Sequence, residues 1–283
     1  MIKKLGIVGC GQMGSGIAQV AAAAGFTVVA RDVTADLWKK GVSRIEKNMD
    51  KLIEKGKADD AFKKKVVGNI TGTVNLSDMA DCDLVIEAVI EQMDEKIKVF
   101  KELDKICKPE TILASNTSSL SIGDMAAATG RRDRFCGLHF FNPVPVMKLC
   151  ELVRTLDTSD ATIAAAKEFA TACGKTAVMA KDRPGFIVNV LLIPYLLDAV
   201  RLLENGGASR EDIDNGMMLG CGHPMGPLAL TDFIGLDTTL YIADIMFAEF
   251  KDKHYAAPTL LRRMVNAGYL GKKSGRGFFE YTK

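Results

Sequence analysis

The sequence predicts an α/β protein in which an N-terminal doubly wound sheet is followed by an all-helical domain. Three observations carry that reading. Short apolar runs alternate with helix-compatible stretches as far as residue 181, a glycine-rich turn joins the first run to the first helix, and from residue 184 onward the pattern turns helical with no strand of comparable clarity.

The first run, Leu5-Gly6-Ile7-Val8, ends in Gly9-Cys10-Gly11-Gln12-Met13-Gly14, and residues 15–25 continue with small-residue helix character. Strand, glycine turn and helix stand in the order a dinucleotide fold needs. Gly9 permits the tight turn, Gly11 lets the backbone approach a pyrophosphate, and Gly14 lets the helix pack closely on the strand, with the diphosphate at the helix N-terminus. A second run at residues 26–30 delivers Asp32 about 20 residues on, where an acid binds the ribose hydroxyls of NAD. Asp32 opposes a 2′-phosphate by charge, whereas adjacent Arg31 is able to pair with one; NAD is favoured and NADP stays an alternative.

Thr34 is an N-cap for a long helix closing near Gly56, and residues 59–67 form a second helical piece. Strands follow at residues 69–74, 84–89, 111–115, 134–140, 148–154 and 176–181, with helices at 93–107, 122–129 and 161–173. The expected organisation is a Rossmann-type domain over residues 1–183, carrying a helical insertion at 34–68, and a helical substrate and dimerisation domain over 184–283. Asp182-Arg183-Pro184-Gly185 punctuates the boundary.

Composition narrows the class. A chain of 283 residues with 48% hydrophobic and 25% charged residues suits two globular domains. A formal charge of +2 excludes a general nucleic-acid binder, so an anionic partner must be met by a local patch. Seven cysteines without a Cys-x-x-Cys spacing suggest neither a disulfide framework nor a metal site, and point to the reducing cytoplasm. Lys3 and Lys4 before an apolar run imitate a secretion signal, but the run before Cys10 is too short and its continuation completes the nucleotide turn. The apolar stretch 186–203 is interrupted by Asn189, Pro194, Asp198 and Arg201, and reads as a buried or subunit-interface helix rather than a membrane span.

His139, one of three histidines, precedes Glu151 in His139-Phe140-Phe141-Asn142-Pro143-Val144-Pro145-Val146-Met147-Lys148-Leu149-Cys150-Glu151. An imidazole exchanges protons near neutrality and a buried carboxylate orients it, which outlines a general acid/base pair; a purely structural pair is the competing reading. Coupled to the dinucleotide turn, the pair suits oxidation of a secondary alcohol, in which a base takes the proton from oxygen while hydride leaves carbon.

These residues resemble the short-chain L-3-hydroxyacyl-CoA dehydrogenase family, and within it the bacterial 3-hydroxybutyryl-CoA dehydrogenases of butyrate and fatty-acid metabolism. The resemblance runs nearly end to end. It is carried by residues 9–14, Asp83-Leu84-Val85-Ile86-Glu87-Ala88, Leu113-Ala114-Ser115-Asn116-Thr117-Ser118-Ser119-Leu120, residues 139–149, Pro184-Gly185-Phe186-Ile187-Val188-Asn189, His223-Pro224-Met225-Gly226-Pro227 and Gly271-Lys272-Lys273-Ser274-Gly275-Arg276-Gly277-Phe278. It implies reversible NAD(H)-linked hydride transfer between (S)-3-hydroxybutyryl-CoA and acetoacetyl-CoA, with a dimer formed through the C-terminal domain. It implies His139 as the catalytic acid/base, Glu151 as its orienting partner, and Ser118 and Asn189 as hydrogen-bond donors to the reacting oxygen. Glu91 and Lys96 are implied at the nicotinamide ribose, and Ser118, Asn142 and Lys273 at the cofactor more broadly.

Bland roles compete at several of these positions. Ser118 follows a strand in a Ser/Thr cluster and is a natural helix cap, and Asn189 is a plausible polar residue of an early helical turn. His223 lies in a Pro/Gly-rich turn and His254 among surface charges. Coenzyme A carries phosphates, and the excursion at 34–68 is crowded with lysines; Lys51 and Lys55, one turn apart, are the phosphate candidates, although interleaved acids also suit a solvated helix. Two other functions remain open from sequence: a non-catalytic redox sensor or structural relative, and a dehydrogenase of free hydroxy acids. The latter group carries a lysine four residues before an asparagine, where this chain has Gly185 before Asn189.

Overall fold

The computed structural model describes residues 2–281. The chain divides into two compact units, the first ending at Asp182 and the second beginning at Arg183.

The first unit is built on an eight-stranded sheet of order β3-β2-β1-β4-β5-β6-β7-β8. Its strands are β1 (Lys4–Val8), β2 (Thr27–Arg31), β3 (Ile70–Thr73), β4 (Leu84–Glu87), β5 (Ile112–Ser115), β6 (Phe135–Phe140), β7 (Leu149–Arg154) and β8 (Thr176–Lys181). All neighbours pair in parallel except β6 and β7, which are antiparallel. Each strand the sequence predicts is present. The central strands are continuous apolar runs because helices cover both faces of such a sheet, so neither face can be polar. Leu5, Ile7, Leu84, Ile86, Leu138 and Leu152 are accordingly buried in one core.

Helix α1 (Gln12–Ala23) runs from the glycine turn onto this core. A Cβ at Gly14 would lie 1.8 Å from the carbonyl oxygen of Gly9, so only glycine allows the helix to start this close to the turn. The large crossover after β2 consists of α2 (Ala35–Glu54) and α3 (Asp60–Gly68). Thr34 and Asp59 cap them by accepting from the N–H groups of Leu37 and Phe62. Along α2 only Gly41, Ile45 and Met49 are buried, at four-residue spacing. That narrow stripe faces the core and leaves the rest of the helix, with its charges, to water. Burying Ile45 and Met49 contributes about 1.5–3 kcal/mol each before entropy is counted.

The remaining helices of this unit are α4 (Met93–Ile106), α5 (Ile122–Ala127) and α6 (Asp160–Ala172). Helix α5 is capped by Ser121 together with both carboxylate oxygens of Asp182, which accept from Ile122 and Gly123 at 3.0 and 2.6 Å.

The second unit is helical: α7 (Val188–Glu204), α8 (Arg210–Cys221), α9 (Pro227–Ile234), α10 (Leu236–Phe250) and α11 (Thr259–Asn266). Ile193, Leu197, Val200, Leu228, Leu236 and Met246 belong to its own core. Buried Asp214 on α8 accepts from the N–H groups of Leu228 and Ala229 and so caps α9. Asp232 on α9 accepts from Phe278, Phe279 and the Tyr281 hydroxyl, fastening the C-terminal strand-like turn. The apolar stretch at 186–203 becomes α7, and no helix among the described residues is long and apolar enough to cross a membrane.

Candidate active site

The strand order reverses between β1 and β4, and the space outside their C-terminal ends is the place where open α/β sheets receive ligands. Gly9 turns the chain there at φ 98° and donates to the carbonyl of Arg31 at 2.9 Å. Asp32 braces the turn: one carboxylate oxygen accepts from Cys10 N–H at 2.8 Å and the other from Val33 N–H at 2.7 Å. Gly11 is the N-cap of α1, with no side chain satisfying the first turn and no acid in it. A Cβ placed on Gly11 would meet nothing within 4 Å, so the helix N-terminus opens on free space. Donors pointing into a space shaped by the absence of a side chain fit a pyrophosphate.

A cavity of about 520 Å³ adjoins this turn, bounded by Gly9, Gly11, Asp32, Leu37, Val89 and Ile90. A largely apolar slot with Asp32 beside the glycine turn and a second acid, Glu95, on its wall suits an adenine ring with its ribose. Arg31 also borders it, but its Nε donates to the carbonyl of Val74 at 3.2 Å, which ties the guanidinium to the β3 side. Gln12 Nε2 donates to Asn142 Oδ1 at 2.9 Å, bringing the turn and the loop after β6 together, and Met13 is half-buried beside them.

His139 on β6 and Glu151 on β7 are direct partners in the antiparallel ladder. Opposed residues present side chains on the same face, and Nδ1 of His139 lies 2.6 Å from Oε2 of Glu151, with Glu151 fully buried. A carboxylate only accepts, so Nδ1 carries the proton and Nε2 faces away toward Ser118, whose Oγ is 3.0 Å distant. The ring of Phe141 packs against the imidazole at 4.5 Å between centroids. Ser118 is therefore not a helix cap; Ser121 fills that role for α5, and the Ser118 hydroxyl is turned to the imidazole instead.

The turn that carries Ser118 hangs from a buried polar cluster. Glu91 accepts from Ser118 N–H at 3.0 Å, from Ser119 Oγ at 3.4 Å and from the Thr117 hydroxyl. Lys96 Nζ reaches Glu91 at 3.1 Å and Glu87 at 2.6 Å. The Lys96 side chain is 1% exposed and that of Glu91 29%, so Glu91 is the member of this pair that can meet a ligand. Glu87 also accepts from Ser115 Oγ at 2.6 Å and from Val89 N–H at 2.7 Å. Burial pushes the Glu87 carboxyl above the usual range, against the opposing pull of the Lys96 ammonium.

Ser115, Thr117 and Glu87 stand in the sequence only within the stretches that carry the resemblance, with no role of their own. Their visible signal was an acid at the buried end of β4 with a lysine nine residues on, which becomes meaningful only when the helix bringing Lys96 back is known.

In the second unit, Asn189 is a buried residue of the first turn of α7, and Lys273 pairs with Asp237 at 2.6 Å. Lys51 in the last turn of α2 and Lys55 at its C-cap are both exposed, whereas neighbouring Lys63 is engaged by Asp50. Tyr195 Oη lies 3.1 Å from His223 Nδ1, and His254 is exposed.

Comparison with known proteins agrees with this geometry across the chain. Residues 4–183 match the model of the 3-hydroxyacyl-CoA dehydrogenase NAD binding domain, and residues 185–281 that of the 3-hydroxyacyl-CoA dehydrogenase C-terminal domain. A 3-hydroxybutyryl-CoA dehydrogenase of Mycobacterium tuberculosis is 51% identical over 282 residues, covering 99% of both chains. The human mitochondrial hydroxyacyl-coenzyme A dehydrogenase is 49% identical, covering 99% of this chain and 92% of its own. The crystal structure of (S)-3-hydroxybutyryl-CoA dehydrogenase from Ralstonia eutropha superimposes with a TM-score of 0.96 at 48% identity, covering 100% of each chain. With a nucleotide turn, a buried His–Glu pair and both domain models matched, the chain belongs to the 3-hydroxyacyl-CoA dehydrogenase family.

Proposed function

We propose that this protein catalyses reversible hydride transfer between (S)-3-hydroxybutyryl-CoA and acetoacetyl-CoA with NAD(H). The observation that carries the reading is the imidazole of His139, polarised from one side by Glu151 and bonded on the other to Ser118. Relatives named for this activity at about half identity over their full length support it.

NAD supplies the hydride acceptor in oxidation and the donor in reduction. Gly9, Gly11, Gln12, Met13 and Gly14 hold its diphosphate side and Asp32 its adenosine ribose. Glu91, backed by Lys96, together with Ser118, Asn142 and Lys273, holds the nicotinamide side. In oxidation, Nε2 of His139 takes the proton from the 3-hydroxyl as hydride departs from the same carbon. Glu151 stabilises the imidazolium that results and keeps Nδ1 protonated throughout. Ser118 and Asn189 hydrogen-bond the reacting oxygen and steady the charge developing on it. In reduction, the imidazolium returns its proton to the ketone oxygen. Lys51 and Lys55 meet a phosphate of coenzyme A.

The protein works as a homodimer through its helical unit, where Leu191, Leu219 and Phe233 are 71%, 85% and 48% exposed. Its seven thiols are all unpaired, as suits the cytoplasm. The activity test is NADH oxidation by pure protein. It should require acetoacetyl-CoA, proceed poorly with NADPH and fail with free acetoacetate. Inactivity with acetoacetyl-CoA would favour the sensor or structural reading, and turnover of free acetoacetate a hydroxy-acid dehydrogenase.

A further inference from the structure

Glu87 is fully buried at the last position of β4, and Ser115, its partner in register, is fully buried at the last position of β5. Two arms leave this carboxylate. Through Oε2 it accepts from Ser115 Oγ at 2.6 Å, and Ser115 Oγ in turn accepts from Thr117 N–H at 3.2 Å. Through Oε1 it holds Lys96 Nζ at 2.6 Å, which reaches Glu91 at 3.1 Å, and Glu91 accepts from Ser118 N–H at 3.0 Å. Both arms close on the same turn, and that turn presents the Ser118 hydroxyl to His139 Nε2.

We propose that Glu87 is a positioning residue for the hydride-transfer reaction, acting through Ser115 and Lys96 to hold Ser118 against His139. The proposal rests on the dehydrogenase reading. Glu87 touches neither the imidazole nor the space over the glycine turn, so its effect is on geometry and not on the reacting atoms.

Chemistry favours this over a role in stability alone. A buried ion pair contributes little net stability, because desolvating both charges offsets their attraction. What the carboxylate does provide is direction. Three donors converge on it, from Lys96, Val89 and Ser115, which only a group with acceptors on both oxygens can serve together. Glutamine of the same shape would turn an NH2 toward Ser115. That hydroxyl, which already accepts from Thr117, would then face two donors and lose the acceptor for its own proton. Its amide oxygen would still accept from Lys96 and Val89, but without the carboxylate charge Lys96 would be drawn toward Glu91, so the arm through Ser115 would be cut and the arm through Lys96 loosened.

The test is a double-mutant cycle between Glu87→Gln and Ser118→Ala, read by kcat and KM for acetoacetyl-CoA reduction with NADH. Glu87→Gln alone should lower kcat by about 10-fold or more, since a misplacement near 1 Å can cost about 100-fold, while KM changes less than about twofold. In the Ser118→Ala background the same change should cost almost nothing, because the group it positions is gone. Ser115→Ala cuts one arm without disturbing the ion pair and should show a smaller loss of the same kind, so it decides the matter if Glu87→Gln does not fold. Glu87→Asp should recover part of the loss. Unchanged kcat in folded single variants, or effects that multiply fully in the Ser118→Ala background, would overturn the proposal. If the unaltered protein fails to reduce acetoacetyl-CoA, the dehydrogenase reading falls and takes this one with it; activity with an additive cycle removes only the role of Glu87.

Discussion

His139 and Glu151 stand directly opposite each other across the antiparallel pairing of an otherwise parallel sheet, with Nδ1 and Oε2 2.6 Å apart. Their separation of twelve positions in sequence thus spans the connection at 141–148 that folds β7 back on β6. His139→Ala should lower turnover by about 10² to 10⁴, the range for a positioned acid/base. NADH affinity, measured by fluorescence titration, should stay near that of the original protein, because the glycine turn lies on other strands. Unchanged turnover would remove His139 from the mechanism.

Glu151→Gln keeps the shape of the side chain but removes the carboxylate that orients Nδ1 and steadies the charge arriving on the ring as the reaction proceeds. Turnover at neutral pH should fall while NADH affinity stays near that of the original protein. Loss only in thermal stability would make Glu151 a structural partner.

Asp32→Ala should weaken NADH binding and raise the NADPH to NADH preference, since ribose hydrogen bonds and repulsion of a 2′-phosphate are both lost. Because Asp32 also holds the N–H groups of Cys10 and Val33, the variant should lose about 1–3 kcal/mol of stability in denaturant titration. A constant cofactor ratio would mean the carboxylate serves the turn alone.

If Lys51 and Lys55 meet the 3′-phosphate of coenzyme A, replacing both by alanine should raise KM for acetoacetyl-CoA more than it alters kcat. The effect should fade with salt, as exposed charges are screened over about 10 Å at 0.1 M ionic strength. Acetoacetyl-dephospho-CoA should bind the original protein less well and barely distinguish it from the variant. Equal loss for both substrates would place the phosphate contact on other basic residues of the crossover.

Asp83 gives a pH prediction of opposite sign to a basic group. Burial alone would raise its carboxyl, but hydrogen bonds from Lys108 and from the N–H groups of Lys4 and Lys3 outweigh that and hold it at about 2, below the ordinary 3.8. The stabilisation is therefore present above pH 3.8 and is lost as pH falls toward 2. The stability gap between the original protein and Asp83→Asn should be constant near pH 6 and close across that window, and less so in high salt because the side chain is partly exposed. A gap that does not narrow would assign the difference to packing.

What sequence could and could not convey divides along physical lines. The central strands were legible because strands covered on both faces are short apolar runs with turn residues at their ends, whereas the partly uncovered edge strands β3 and β8 show only as short runs between turn residues. The second unit was legible only as helical: α9, Pro-Leu-Ala-Leu-Thr-Asp-Phe-Ile, is mostly apolar or small, so periodicity does not mark its two faces. His139 and Glu151 were visible as residue types at a spacing, yet the antiparallel return that makes them neighbours is a property of sheet pairing, not of either residue. Ser118 looked like a cap because a hydroxyl after a strand satisfies local donors more often than distant ones. Its bond to a ring twenty-one residues away depends on β5 and β6 lying side by side. Resemblance implies Lys96 only as a ligand contact, and its burial against Glu87 follows from where α4 returns to the sheet, which no local pattern encodes.

The order of strands also acts as a ruler. From β1, which ends in the glycine turn, to β6, which bears His139, there are three steps through β4 and β5. At about 4.8 Å per step this is about 14 Å, the length that the proposed reaction asks of a ribose, a nicotinamide ring and a reacting carbon with its oxygen laid end to end. The distance from the glycine turn to His139 is therefore set by a count of hydrogen-bonded strands, a quantity that side-chain substitution cannot stretch. Loops at the strand ends are free to diverge in composition without altering it, whereas adding or removing one strand between β1 and β6 would move His139 by a whole strand width relative to the glycine turn.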